Sequence, residues 1–249
     1  MDSEYMEKIK EKIAVYYMRF EAFLRKHKLK CLIVAAIFLI FVIINCVIFL
    51  SDAVGLGKKE IIVIVDAGHG GNDPGKVGGS GVLEKDLNLS IALKLKDSLE
   101  AYGIKVILTR AEDTNLATLG ATNKKSSDMS NRVELINSSD AVCFISIHQN
   151  SYPDPSVKGA QVFYYGGSDA SKSLAENLQT SLINNVDSEN HRKCKEGNDY
   201  YLLRKTIIPG VIVECGFLSS PEEESKLTDE NYQKALADTI AETIYNLYK

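Results

Sequence analysis

The most apolar stretch of the chain is 31–50 (CLIVAAIFLIFVIINCVIFL), interrupted only by Asn45. Twenty helical residues span about 30 Å, the thickness of a bilayer's hydrocarbon core. The pattern changes after a short stretch at 51–59: strand-length apolar runs now alternate with apolar positions that recur every three or four residues. Residues 61–65 form an unbroken β-branched run, as a strand buried on both faces requires. Leu87, Ile91, Leu95 and Leu99 predict a helix capped by Asp86 and stopped at Gly103. Further strands are expected at 104–109, 141–147, 160–165 and 211–217, with a short one at 201–203. Further helices are expected at 129–137, around Leu174, Leu178 and Leu182, and along Leu236, Ile240, Ile244 and Leu247. A charged loop separates the last two helices at 187–199. This alternation predicts an α/β fold: one domain, 60–249, with a mostly parallel twisted sheet flanked by helices, preceded by one N-terminal transmembrane helix.

Charge orients the apolar run. Arg19, Arg25, Lys26, Lys28 and Lys30 lie on its upstream side, and Ser51 and Asp52 follow it. The positive-inside rule then makes 1–30 a cytoplasmic basic leader, 31–50 a transmembrane anchor, 51–59 a linker, and 60–249 an extracytoplasmic domain. A cleaved signal peptide is the rival reading, with Ala53-Val54-Gly55 as a passable cleavage site, and it would release the domain as a secreted protein. The long leader and long apolar run favour the anchor. Residues 1–30 carry a net charge of +3 and the remainder −7, which excludes nucleic acid as the partner of the main domain. The exported part holds Cys143, Cys194 and Cys215 without a CxxC, so no disulfide framework is indicated. Cys143 and Cys215 fall in strand-like runs and read as buried thiols, and Cys194 reads as exposed.

Candidate chemistry centres on two of the four histidines. His69 follows the first strand in Asp66-Ala67-Gly68-His69-Gly70-Gly71, and His148 ends the third in Ser146-Ile147-His148-Gln149-Asn150. Both sit where strands leave the sheet, the edge at which open α/β sheets bind ligands. Glu84 lies just before the first domain helix, and Glu214 interrupts an otherwise apolar strand. Two imidazoles and one carboxylate supply three ligands to Zn²⁺ and leave a fourth position for water, while a second carboxylate takes the proton. Plainer readings compete: a strand-end His is often a structural hydrogen-bond partner, and Glu84 suits a helix start. Glu214 is harder to dismiss, because a carboxylate in a buried strand is costly unless paired or bound. Spacing alone leaves both readings open.

The segments DAGHGGNDPG (66–75), LEKDLNL (83–89), TR (109–110), SIHQN (146–150) and VECGFLSSPEE (213–223) resemble, in order and spacing, the zinc-dependent N-acetylmuramoyl-L-alanine amidases of the amidase-3 type. The likeness covers roughly 60–249 and is nearest to CwlD-type spore-cortex amidases, which pair a membrane segment with a bare catalytic domain. It implies that His69, Glu84 and His148 bind zinc and that Glu214 is the catalytic carboxylate. It implies cleavage of the amide joining N-acetylmuramic acid to L-alanine of the peptidoglycan stem peptide, in the CwlD-type case towards muramic-δ-lactam in spore cortex. Asn150 is implied to orient His148 or the substrate, and Arg110 and Arg132 match positions without a stated role. Ala67 departs from the Pro common in relatives. The interval from 148 to 214 leaves little room for a self-locking helix, so an accessory activator protein is expected. The rivals are another zinc peptidase or carboxypeptidase acting on stem peptides, and an inert membrane-anchored wall-binding protein.

Overall fold

The computed structural model describes residues 3–53 and 60–249, which fall into two compact units, 1–59 and 60–249. The first unit consists of α1 (Ser3–Lys26) and α2 (Lys28–Ala53), separated by His27 alone. Within α2, Lys28–Leu50 is long and apolar enough to cross a membrane. Helix α1 was not anticipated from the sequence. Of the expected linker, 51–53 continue α2, whereas 54–59, with most of the alternative cleavage site, lie outside the described residues.

The second unit runs β1 (Ile62–Ala67), α3 (Glu84–Ala101), β2 (Lys105–Leu108), α4 (Lys124–Asn137), β3 (Cys143–Asn150), β4 (Gln161–Tyr164), α5 (Asp169–Asn185), β5 (Lys195–Glu196), α6 (Tyr201–Lys205), β6 (Gly210–Phe217), α7 (Pro221–Thr228) and α8 (Glu230–Tyr248). Its six strands form one sheet in the order β2-β1-β3-β6-β4-β5. The β2-β1-β3-β6 part is parallel, and β4 runs antiparallel to β6. Alternation along the central strands divides the core. Val63, Val65, Ile145 and Val213 pack with α3, α5 and α8, whereas Ile64, Phe144 and Ile212 pack with Ile136 of α4 and Leu202 and Leu203 of α6. The chain winds outward in opposite directions from β1 to β2 and from β1 to β3, which opens a crevice at the C-terminal ends of β1 and β3.

Several boundaries differ from expectation, each for a local reason. Helix α3 begins at Glu84, so Asp86 is not its cap. Leu83 takes the cap conformation, and the amides of Glu84 and Lys85 donate to the carbonyls of Lys76 and Pro74 in the preceding loop. Asp86 instead lies in the first turn, where its charge favours the helix dipole. Residues 201–203 are helical rather than a strand: Leu202 and Leu203 are both buried in one cluster, and three apolar residues are too few to reveal a period. Helix α4 starts earlier than expected, at Lys124, because Asn123 Oδ1 accepts from the Ser126 amide at 3.0 Å. Strand β3 continues past 147 to Asn150. Cys143 and Cys215 are buried as expected, and burial pushes the Cys143 thiol up to about 12. Cys194 is half-buried against the core rather than exposed.

Candidate metal centre

The loop after β1 delivers the first imidazole. His69 has φ 61°, making it the one non-glycine residue with positive φ among those described. Two buried arginines hold this loop from behind. Arg110 donates from Nε to Ala67 O (2.9 Å) and from Nη2 to Gly68 O (3.0 Å); Arg132 donates to Ala67 O (2.9 Å) and His69 O (2.7 Å). Three successive carbonyls are thereby fixed, which offsets the cost of a left-handed conformation at a residue with a Cβ. Arg132 is in turn paired with Asp66, whose carboxylate also accepts from Thr109 (2.7 Å) and Ser146 (2.5 Å). Burial opposes ionisation of Asp66, but Arg132 and the two hydroxyls outweigh it and hold the carboxyl below its ordinary range.

Glu84, the first residue of α3, enters from the other side. Its Oε1 lies 3.2 Å from His69 Nε2 and 2.9 Å from His148 Nδ1, and its Oε2 accepts from the Lys76 amide at 2.8 Å. One ligand atom from each of His69, Glu84 and His148 lies within 4.8 Å of the others, a set that could hold a metal ion. Burial would raise the Glu84 carboxyl, but the two imidazoles drive it far below the usual carboxylate range. The other nitrogen of His69, Nδ1, lies 3.0 Å from Asp73, giving the ring the outer carboxylate partner typical of metal-binding histidines. Despite burial, which favours the neutral ring, Glu84 and Asp73 raise the His69 pKa. Space is tight throughout. A Cβ on Gly68 would meet His148 Nε2 at 2.2 Å, and one on Gly75, where φ is 67°, would meet Glu84 Oε2 at 2.5 Å.

Glu214 stands beside His148 in register across β3 and β6. It is 6% exposed; Oε1 accepts from the Tyr200 hydroxyl at 3.3 Å, while Oε2 is buried without a hydrogen-bond partner. Burial pushes its pKa up. His69, Glu84, His148 and Glu214 line a common cleft of about 470 Å³, with Tyr200 on one wall and Lys76 and Lys125 at its sides. Asn150 also lines this cleft, but its Oδ1 accepts from the neighbouring Ser151 amide at 2.8 Å. Asp66, Asp73 and Tyr200 were not singled out from the sequence as parts of the site, and Arg132 entered only through the resemblance, without a role. An Asp ending a buried β-branched run was the available signal for Asp66; nothing local distinguished Tyr200.

Residues 63–246 match the family model described as N-acetylmuramoyl-L-alanine amidase. The chain belongs to this amidase family. It is 40% identical over 190 residues to the germination-specific N-acetylmuramoyl-L-alanine amidase of Bacillus subtilis, a match covering 75% of this chain and 79% of that protein. Among solved structures, the amidase resembles the CwlD amidase of Clostridioides difficile, determined in complex with the GerS lipoprotein. That match has 40% identity and a TM-score of 0.73, and covers 76% of this chain and all of the other. A second N-acetylmuramoyl-L-alanine amidase, from Clostridium difficile 630, matches with 33% identity and a TM-score of 0.68, over 76% of this chain and 97% of its own. The mixed α/β fold expected of the amidase, with its sheet flanked by helices, is the one observed.

Proposed function

We propose that this amidase hydrolyses the amide between N-acetylmuramic acid and L-alanine in peptidoglycan, using Zn²⁺ held by His69, Glu84 and His148. The observation that carries this reading is one cleft in which three such donors converge beside a buried carboxylate oxygen without a protein partner. Two imidazole nitrogens and one carboxylate oxygen are the donor set of many catalytic zinc sites. When bound, the cation supplies Lewis acidity towards the scissile carbonyl and makes water a stronger acid. Glu214 takes the proton of the attacking water on Oε2 and delivers it to the departing alanine nitrogen. Its raised pKa favours holding that proton between the two transfers. Tyr200 keeps Oε1 occupied, which leaves Oε2 for the proton. Asp73 fixes the His69 ring, and Asn150 contributes to substrate contact along the cleft.

The 40% identity to a germination-specific amidase supports a role in spore-cortex modification towards muramic-δ-lactam. The GerS complex of the C. difficile relative supports an accessory protein as partner here. The apolar span in α2 supports a retained anchor with 60–249 extracytoplasmic. Mass spectrometry of muropeptides, with zinc added and after chelation, tests the reaction. Zinc-dependent release of intact stem peptides with L-alanine amino termini is expected; release of D-alanine alone would identify a carboxypeptidase instead.

A further inference from the structure

Helix α1 carries an organised surface that the hydrolytic reaction does not use. Met6, Ile9, Ile13, Tyr16, Phe20 and Phe23 recur every three or four residues and share one side of the helix. Tyr5, Tyr17 and Leu24 border this seam and widen it to about a third of the circumference. The stripe faces outward: Tyr16 is 72% exposed and Phe20 58%. Lys10, Lys12 and Arg19 border the stripe, together with one acidic residue, Glu21. The glutamates Glu4, Glu7 and Glu11 lie on the opposite side of the helix.

These features select among occupants. A second copy of α1 would need branched aliphatic side chains in the seam and opposite charges across it. Four of the six seam residues are aromatic or Met, and flanks dominated by lysine and arginine would meet a partner bearing the same signs. Tyr and Phe with a mainly basic border instead match the headgroup region of an anionic bilayer. Since only His27 separates α1 from α2, the stripe begins at the surface where α2 enters the membrane. We propose that α1 is an interfacial helix that docks its aromatic stripe onto the anionic lipid surface of the membrane crossed by α2. The proposal rests on α2 being a span, and its test separates the two.

The chain has no Trp, so F20W, E11W and F41W each introduce a single fluorescent reporter in the stripe, on the polar side and in α2. Each full-length variant is reconstituted into phosphatidylcholine vesicles with or without phosphatidylglycerol, and quenching by lipids brominated at shallow or deep positions is recorded. With phosphatidylglycerol, F20W emission should shift to the blue and be quenched by shallow bromines, E11W should stay water-like, and F41W should be quenched by deep bromines in both vesicles. Adding K12Q and R19Q should lower the docked-to-free ratio by roughly 25-fold, taking about fivefold per basic residue at an anionic surface. High salt should act in the same direction. If F20W behaves like E11W while F41W is quenched, α2 spans and the docking proposal is overturned. An unquenched F41W removes the span and the proposal together. A blue shift at F20W that bromines leave untouched and that fades on diluting the protein in lipid would mean self-association, which also overturns it.

Discussion

His148 and Glu214 face each other in register on adjacent parallel strands, which places an imidazole and a buried carboxylate side by side on one face of the sheet. The pairing is set by the backbone of two central strands, so it does not depend on loop ordering. Immediately beyond it the register shifts by one residue, so that Asn150, which lines the cleft, pairs with Phe217.

Replacing Glu214 by Gln keeps the shape and removes the proton acceptor. E214Q should bind zinc with unchanged stoichiometry while kcat falls about 10²- to 10⁴-fold. Metal analysis and turnover on purified peptidoglycan measured on the same sample check this.

The same substitution should stabilise the metal-free protein. Burial raises the folded pKa of Glu214 above its ordinary 4.5, so the folded state binds more protons than the unfolded state from about that pH upward. Stability is therefore lost as pH rises through the folded pKa, and at neutral pH the ionised carboxylate remains a cost. In EDTA, the urea midpoint of E214Q should exceed that of the parent at pH 7, and the difference should shrink towards pH 4.

Asp66 behaves in the opposite sense. Its folded pKa lies below the ordinary 3.8, so its contribution is present at neutral pH and is lost as pH falls from about 4 through the folded value. Removing its partner with R132M leaves a buried carboxylate unpaired and should cost about 3–5 kcal/mol. Denaturation of R132M and of the D66N/R132M double variant measures this, and the double variant should recover part of the loss. Metal binding should weaken in R132M as well, because His69 loses a carbonyl anchor.

Gly68 has no room for a side chain. G68A would push a methyl group into the His148 ring, which a Cβ would meet at 2.2 Å. Zinc and activity should be lost together, as in H148A, while the folded state survives by circular dichroism.

Helix α7 pins the approach to the ligand loop. Glu224 accepts from the Gly79 and Ser80 amides, both at 2.9 Å, and from the Ser80 hydroxyl, while Glu223 accepts from Gly159 (2.9 Å) and Phe217 (2.7 Å). E224A should weaken zinc affinity, because the 76–83 loop that supports Glu84 loses three bonds; zinc titration with a fluorescent competitor checks this. Unchanged affinity would show that the contacts from Glu84 to Lys76 suffice to order the loop.

Read alone, the sequence determined the features that repeat over a few residues or rest on side-chain type. The β-branched runs at β1 and β6, the four-residue spacing of Leu87, Ile91, Leu95 and Leu99, and the membrane-length run in α2 are local signals, and the structure contains each of these elements. His69 and His148 stood out at strand ends, Glu84 ahead of a helix and Glu214 in an otherwise apolar strand, and the resemblance to the amidases assigned them to one site. Tertiary structure alone decided how the four converge, since that depends on β1, β3 and β6 pairing in one register across segments up to 145 residues apart. It also decided what holds them: Arg110 and Arg132 behind the left-handed His69, Glu224 on the loop before Glu84, and Tyr200 on one oxygen of Glu214. These contacts join residues 14 to 145 positions apart, and no local periodicity marks a partner for them. Burial is the physical reason for the difference: the charge of Asp66 and the orphan oxygen of Glu214 gain their energetic meaning only once the surrounding chain has excluded water.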